Sequence, residues 1–157
     1  MSREQVFSGW GEPGAGPALP PTADEFLRDG LGVPGGVVSP PVELDAVRLG
    51  GEPLGDALRA ALADVVGEDG VRTDREIRVL RCRGKSYLDL VAQRAGDCAS
   101  APDAVVRPRT QEEAGAVLRV CSEAGAAVVP FGGGTSVVGG LEAAREGFDA
   151  LISLDLG

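Results

Sequence analysis

The decisive stretch of this chain reads Pro130-Phe131-Gly132-Gly133-Gly134-Thr135-Ser136-Val137-Val138-Gly139-Gly140. A short apolar run, residues 126–129, precedes it, so the stretch begins where a strand is predicted to end. Its three consecutive glycines remove every Cβ from the bend and allow positive φ angles there. Because a concave run of backbone N–H groups binds anions, most often phosphate, the stretch predicts a loop that holds the pyrophosphate of a dinucleotide.

The residues before this loop predict a βαβ unit. Residues 104–107 form a short apolar strand, and Thr110 then caps a helix with Glu113 as its capping-box partner. Gly125 ends that helix, and residues 126–129 are the second strand. Two strands joined through a helix in this way are expected to run parallel, with a right-handed crossover.

Two familiar nucleotide-binding motifs do not fit the sequence. A Rossmann fingerprint places its glycines after the first strand of such a unit, at the start of a helix, whereas these follow the second strand and no helical pattern comes after them. The tail Gly84-Lys85-Ser86 is similar to the end of a Walker A loop, but that motif needs a glycine where Val79 stands. Two interpretations remain: an anion-binding loop of another architecture, and a plain tight turn in an unrelated α/β domain.

The first half of the chain is predicted to be irregular and partly helical. Residues 1–53 are rich in glycine and proline, with one short helix between a Thr22–Glu25 capping box and Gly30. Residues 54–66 carry apolar side chains at helical spacing.

Two further elements are predicted between this helix and the βαβ unit. Alternating apolar residues favour an extended segment between residues 74 and 83. Ser86 is predicted to cap a short helix, with Asp89 as its capping-box partner. With a third candidate strand at residues 151–155, the pattern predicts an α+β fold, divided into a region 1–97 and a region 98–157.

Composition narrows the classes of function. A net charge of −9 with no basic stripe argues against nucleic acid and anionic membranes as partners. The three cysteines are odd in number and no histidine is present, so the sequence predicts reduced thiols and no metal site. With no membrane-spanning run and no signal-peptide pattern, we expect a cytoplasmic protein. Without histidine, any catalysis within this chain depends on other side chains or a cofactor.

A family resemblance rests on several of these segments. They are Pro102-Asp103-Ala104-Val105-Val106-Arg107-Pro108, the helix start at Thr110 and Glu113, Val129 to Ser136, and Gly139-Gly140. Together they resemble the first half of the FAD-binding domain of the vanillyl-alcohol oxidase and p-cresol methylhydroxylase type. Upstream, the segments that resemble the alkyldihydroxyacetonephosphate synthase branch are Trp10-Gly11, Asp74 with Arg78, Gly84-Lys85-Ser86-Tyr87, and Arg94-Ala95-Gly96-Asp97 before Ala101-Pro102-Asp103.

The resemblance implies a noncovalently bound FAD whose pyrophosphate lies against the glycine loop. The cofactor-binding residues that it implies are Pro130, Phe131, Gly132, Gly133, Gly134, Thr135, Ser136, Gly139 and Gly140. In the synthase branch the flavin acts without net redox change, whereas other relatives oxidise 2-hydroxy acids such as glycolate and D-lactate. The residues present do not choose between these two activities.

Family members continue through a second half of the flavin domain and a substrate domain, and no catalytic group can be matched here. The resemblance therefore implies the FAD-binding portion of a flavin-dependent enzyme. The alternatives are a truncated, non-catalytic fragment or binding module, and one piece of a split protein whose C-terminal half is a separate chain.

Overall fold

A computed structural model describes residues 6–12, 14, 18–34 and 39–157. Five α-helices lie in this part of the chain: α1 (Ala23–Leu31), α2 (Asp56–Val66), α3 (Arg75–Leu80), α4 (Tyr87–Arg94) and α5 (Gln111–Glu123). Six short strands accompany them: β1 (Arg48–Leu49), β2 (Val71–Arg72), β3 (Asp97–Cys98), β4 (Ala104–Val106), β5 (Ala126–Phe131) and β6 (Ala150–Asp155). Two 3₁₀ turns, Leu44–Ala46 and Glu68–Gly70, complete the described elements.

The main sheet has the strand order β2-β4-β6-β5. Strand β6 lies between β4 and β5 and pairs in parallel with both, whereas β2 pairs antiparallel with β4. The predicted parallel βαβ unit is therefore confirmed, with β6 inserted between its two strands. Because β4, β5 and β6 run in one direction, their carboxyl ends at Val106, Phe131 and Asp155 meet at one edge of the sheet. That edge carries the glycine loop.

One apolar core joins the sheet to helices α2 and α5. All six residues of β6 are buried, as expected for the central strand of a parallel sheet. Leu62 of α2, Val117 of α5 and Ile152 of β6 are fully inaccessible members of this core. The fold is thus the α+β arrangement that the sequence predicts, and α2 from the first half contributes to the same core as the βαβ unit.

A second, smaller apolar cluster lies beneath the irregular first half. Its buried members are Val47, Val79, Cys82, Cys98 and Ala101, and partly buried Phe7, Val42, Leu44 and Leu49 pack against them. Strands β1 and β3 form a two-stranded parallel sheet beside this cluster. All three cysteines are buried, and none of them forms a disulfide in the structure.

Three details of the predicted elements are wrong. Residues 75–80 form helix α3 instead of an extended segment, because Asp74 caps the helix by accepting a hydrogen bond from the Ile77 N–H at 3.2 Å. The Thr22 side chain makes no cap hydrogen bond, and α1 runs on to Leu31. An apolar residue three positions after a capping residue also fits a strand pattern. The sequence around Ile77 therefore did not distinguish a helix from a strand.

The helix starts at Thr110 and Ser86 are close to expectation. Ser86 and Asp89 form a complete capping box at α4. Thr110 accepts the Glu113 N–H at 3.1 Å, but the Glu113 carboxylate reaches back to the Arg109 N–H, one residue before the cap.

In the part of the chain that the structure describes, no helix is long and apolar enough to cross a membrane. The division at residue 97 stays a prediction.

Candidate functional site

The glycine loop leaves the sheet at the end of β5. Phe131 is the last residue of the strand, and its carbonyl accepts a hydrogen bond from the Leu156 N–H at 2.8 Å. This bond continues the β5–β6 pairing up to the first glycine. The loop therefore begins at the carboxyl edge of the parallel strands. All nine predicted site residues lie there, within residues 130–140.

Gly134 has a conformation and a neighbour that only glycine accommodates. Its φ angle is +67°, in the left-handed region, and a Cβ built on it would lie 2.6 Å from the Phe131 ring. Gly139 also has a positive φ, +72°, but a Cβ there meets open space. The two positive φ angles are what turn the chain twice within the loop.

Gly132 and Gly133 are open for a different reason. Neither has a positive φ, so the backbone itself does not require glycine at these two positions. A Cβ on Gly132 would meet nothing within 4 Å, and one on Gly133 would come no nearer than 3.8 Å to Thr135. The three glycines allow positive φ, and of the three only Gly134 adopts it. The first two instead leave bare backbone that a ligand can approach.

The backbone donors of the loop have no acceptors in the part of the protein that the structure describes. Within the described residues, none of the N–H groups of residues 132–139 donates a hydrogen bond. Ser136 is engaged as an acceptor only, with its carbonyl bonded to the Lys85 N–H at 2.6 Å and its hydroxyl to the Gly140 N–H at 3.2 Å. Unpaired donors above a surface without side chains match the requirements of a phosphate. The residues present therefore fit a pyrophosphate group.

A charged cluster lies behind the loop at the same sheet edge. The buried Asp155 carboxylate, at the end of β6, accepts hydrogen bonds from Arg81 at 3.0 Å and from Arg107 at 2.9 Å. The Arg81 guanidinium also lies 4.8 Å from the centre of the Phe131 ring. Sequence analysis missed this cluster, because its members lie far apart in the chain. The only sign of this cluster in the sequence was an acidic residue at the end of a predicted apolar strand.

The segment Gly84-Lys85-Ser86, rejected as a Walker A tail, contacts the loop directly. A Cβ on Gly84 would lie 2.4 Å from the Ser136 carbonyl oxygen, so glycine is needed for this close approach. Lys85 is buried, and burial lowers the pKa of its ammonium to about 8, opposed only by the negative charge of Asp89. The similarity to a phosphate-binding motif thus marked a packing contact.

The second glycine pair of the loop is held by an ion pair. Arg83 donates to the Glu142 carboxylate at 2.7 Å, and the Glu142 N–H donates to the Gly139 carbonyl at 3.1 Å. Burial lowers the pKa of the Arg83 guanidinium, but the hydrogen bond to Glu142 and the negative charges of Glu142 and Asp97 act in the other direction, and the pKa is raised. This contact ties the segment around Gly139 to the turn before helix α4.

Comparisons with known proteins agree with this geometry. A protein family described as an FAD binding domain matches residues 102–156. The alkyldihydroxyacetonephosphate synthase of Trypanosoma brucei brucei is 36% identical over 91 residues, which cover 58% of this chain and 14% of that protein. Protein Rv2250A of Mycobacterium tuberculosis is 34% identical over 104 residues, which cover 65% of this chain and 68% of that protein. The chain belongs to the same family as Protein Rv2250A, and its FAD-binding region is similar to that of the alkyldihydroxyacetonephosphate synthases.

A solved alkyldihydroxyacetonephosphate synthase structure has the same fold. It superposes with a TM-score of 0.78 over 97% of this chain at 21% sequence identity, and the match covers 32% of the solved chain. This family member therefore spans about a third of that solved relative. The predicted family, fold class and FAD cofactor are confirmed, and residues 102–156 match an FAD binding domain.

The two kinds of glycine in the loop predict different effects on stability. Gly134→Ala places a Cβ against the Phe131 ring and at a positive φ, so we expect it to lower the free energy of unfolding by about 1–2 kcal/mol or more. Gly132→Ala, the matched control, adds the same methyl group in open space and leaves that free energy within about 0.5 kcal/mol of the parent. Chemical denaturation measures both. Equal losses in the two variants would contradict the loop conformation.

Lys85 is the only lysine of the sequence, so its ionisation can be followed without overlap. With ¹³Cε-labelled lysine, we expect one resonance that titrates near pH 8 in the folded protein and at its ordinary value of about 10.5 in denaturant. Between these values the unfolded chain holds the extra proton, so the contribution of Lys85 to the free energy of unfolding rises with pH. A folded midpoint at 10 or above would contradict the burial of this ammonium.

Proposed function

We propose that residues 130–140 bind the pyrophosphate of FAD through backbone N–H groups. The observation that carries the proposal is the run 132–139, whose N–H groups have no acceptor among the described residues and which begins with bare backbone at Gly132 and Gly133. Backbone dipoles are suited to this chain, whose net charge is −9, because they bind an anion locally without a basic surface. Thr135 and Ser136 add hydroxyl groups at the end of the glycine run.

We further propose that the flavin is held noncovalently. The sequence contains no histidine to form a covalent link. The three cysteine thiols are also unsuited to attachment, because Cys82, Cys98 and Cys121 are at most 1% exposed. In this proposal the contribution of the chain to FAD affinity consists of noncovalent contacts, and the loop supplies those to the pyrophosphate.

The activity proposed is that of an alkyldihydroxyacetonephosphate synthase-like flavoenzyme. The names of the curated relatives favour this branch over oxidoreductases of 2-hydroxy acids, which stay the alternative. In this proposal FAD supplies the reactive group, and the present chain binds and orients it. The relatives are much longer than the matched segment, so turnover is assigned to sequence outside that segment, in the same polypeptide or in a separate chain.

A non-catalytic flavin-binding module is the second candidate. The chain matches 68% of Protein Rv2250A, so a relative of comparable size exists beside the long synthases. In either case we propose a cytoplasmic location, in keeping with three free thiols. We also retain the division into a first region, 1–97, and a flavin-binding region, 98–157.

The proposal predicts that a negative charge in the loop weakens FAD binding. Gly133→Asp places a carboxylate where the pyrophosphate would lie, at a position with neither a positive φ nor a close neighbour. Charge repulsion should raise the Kd for FAD by at least about tenfold, equivalent to about 1.4 kcal/mol. Flavin fluorescence titration up to millimolar FAD measures this change even when binding is weak.

Gly55→Asp is the matched control for this experiment. Gly55 precedes helix α2, has no neighbour within 4 Å of a built Cβ and lies in a different part of the fold. It receives the same carboxylate and leaves the Kd for FAD at the parent value. Equal FAD affinity in the parent and in Gly133→Asp would show that the pyrophosphate does not bind this loop.

A further inference from the structure

The described residues at the start of the chain form a small turn, which we call the N-terminal arm (residues 6–12). The Val6 N–H donates to the Gly11 carbonyl at 3.1 Å, and this bond closes the turn. Phe7 packs against the smaller apolar cluster. The arm thus has a defined shape and one apolar anchor, although it lies more than seventy residues from the segment it contacts.

Lys85 makes polar contacts with this arm through two different groups. Its ammonium donates to the carbonyl oxygens of Val6 at 2.5 Å and Phe7 at 3.1 Å. Its own carbonyl accepts the Trp10 indole N–H at 3.1 Å. Three hydrogen bonds therefore converge on one residue from three positions of the arm. A side chain that only filled space would not need this arrangement.

The remaining polar group of Lys85 is bonded to the glycine loop. Its backbone N–H donates to the Ser136 carbonyl at 2.6 Å, and Gly84 lets the two backbones approach. Every hydrogen-bonding group of Lys85 is thus used, on one side for the arm and on the other for the loop. In the described part of the chain the ammonium has no carboxylate within ion-pair distance, so the arm carbonyls support its charge at close range and the negative charge of Asp89 does so from farther away.

We propose that Lys85 is a positioning residue that fastens the N-terminal arm to the glycine loop and so holds Ser136 and the loop N–H groups in the cofactor-binding conformation. This inference rests on the proposed function of the loop. Lys85 is assigned no contact with the cofactor in this account, because its backbone N–H and two of its three ammonium N–H donors are bonded to protein carbonyls.

Coupling between the arm and the loop is reciprocal. If docking of the arm favours the loop conformation that binds FAD, then FAD must stabilise the docked arm by the same free energy. Loss of Lys85 removes both effects together. A residue that contributes only to overall stability would leave FAD without a specific effect on the arm.

The chain offers a clean probe for this coupling. Trp10 is the only tryptophan, so its indole N–H gives a single resonance and its fluorescence anisotropy reports the mobility of the arm alone. We compare the parent with Lys85→Met, which removes the ammonium, and Lys85→Arg, which restores a charged donor. Arg119→Met is the matched control, since Arg119 is an exposed cation on helix α5, away from the arm.

In Lys85→Met we expect Trp10 to become mobile without FAD, and the Kd for FAD to rise about tenfold, within the usual range of coupling between sites. Lys85→Arg should recover at least part of both properties, and Arg119→Met should match the parent. Trp10→Phe removes one hydrogen bond at an exposed position and leaves the core intact, so it should raise the Kd by about fivefold even if Lys85→Met folds poorly.

Two results would overturn the inference. One is a Trp10 that stays as immobile in Lys85→Met as in the parent. The other is an arm that is released while Lys85→Met and Trp10→Phe keep the parent affinity for FAD. Failure of the proposed function looks different, because Gly133→Asp would then bind FAD as tightly as the parent whether or not the arm depends on Lys85.

Discussion

The turn at the end of β5 depends on one steric constraint, the Phe131 ring beside Gly134. The ring fills the space that any Cβ on Gly134 would need, and the backbone there has a positive φ. The carbonyl of Phe131 meanwhile continues the pairing with β6 through the Leu156 N–H. The last residue of the strand thus fixes, with its backbone and its side chain, the direction in which the glycines leave the sheet. The loop N–H groups that have no acceptor among the described residues come directly after this turn.

The charged side chains at this edge of the sheet pair with one another within the protein. A buried carboxylate such as Asp155 is costly unless it is paired and hydrogen-bonded, and Arg81 and Arg107 satisfy it from two sides. Arg81 also covers the ring of Phe131, so the cluster supports the turn from beneath. Since these guanidinium groups are already paired, the proposed pyrophosphate site relies on backbone dipoles. Paired side-chain charges together with an anion site made of backbone N–H groups are compatible with an acidic chain that binds a dinucleotide.

Local patterns gave the regular part of the fold. The parallel βαβ unit, the strand before the glycines and the Ser86–Asp89 capping box all follow from residues close together in sequence. Helix α3 was predicted as an extended segment because its apolar residues are two positions apart. In a short segment this spacing occurs in strands and in helices alike. Insertion of β6 between β4 and β5 was not predicted, since strand order depends on contacts between distant residues.

The site was predicted only in part, because some of its contacts join residues that are far apart in the sequence. The glycine run identified the loop, but its sequence could not separate Gly134, which the fold requires, from Gly132 and Gly133, which leave space for a ligand. The contacts of Lys85 with the arm and with Ser136 bridge fifty to eighty residues, and no spacing rule reaches that far. In the sequence, the motif around Lys85 stood out as a rejected Walker A tail and as part of the family resemblance, and neither pointed to its contacts with the arm and the loop.

The most direct test of the central claim is the ¹H–¹⁵N spectrum of the protein during addition of FAD, with ADP as a probe of the diphosphate half. The account predicts that the backbone amide resonances of residues 132–139 shift progressively with both ligands, because these N–H groups gain acceptors. Unchanged resonances at these residues while others shift on FAD addition would contradict it.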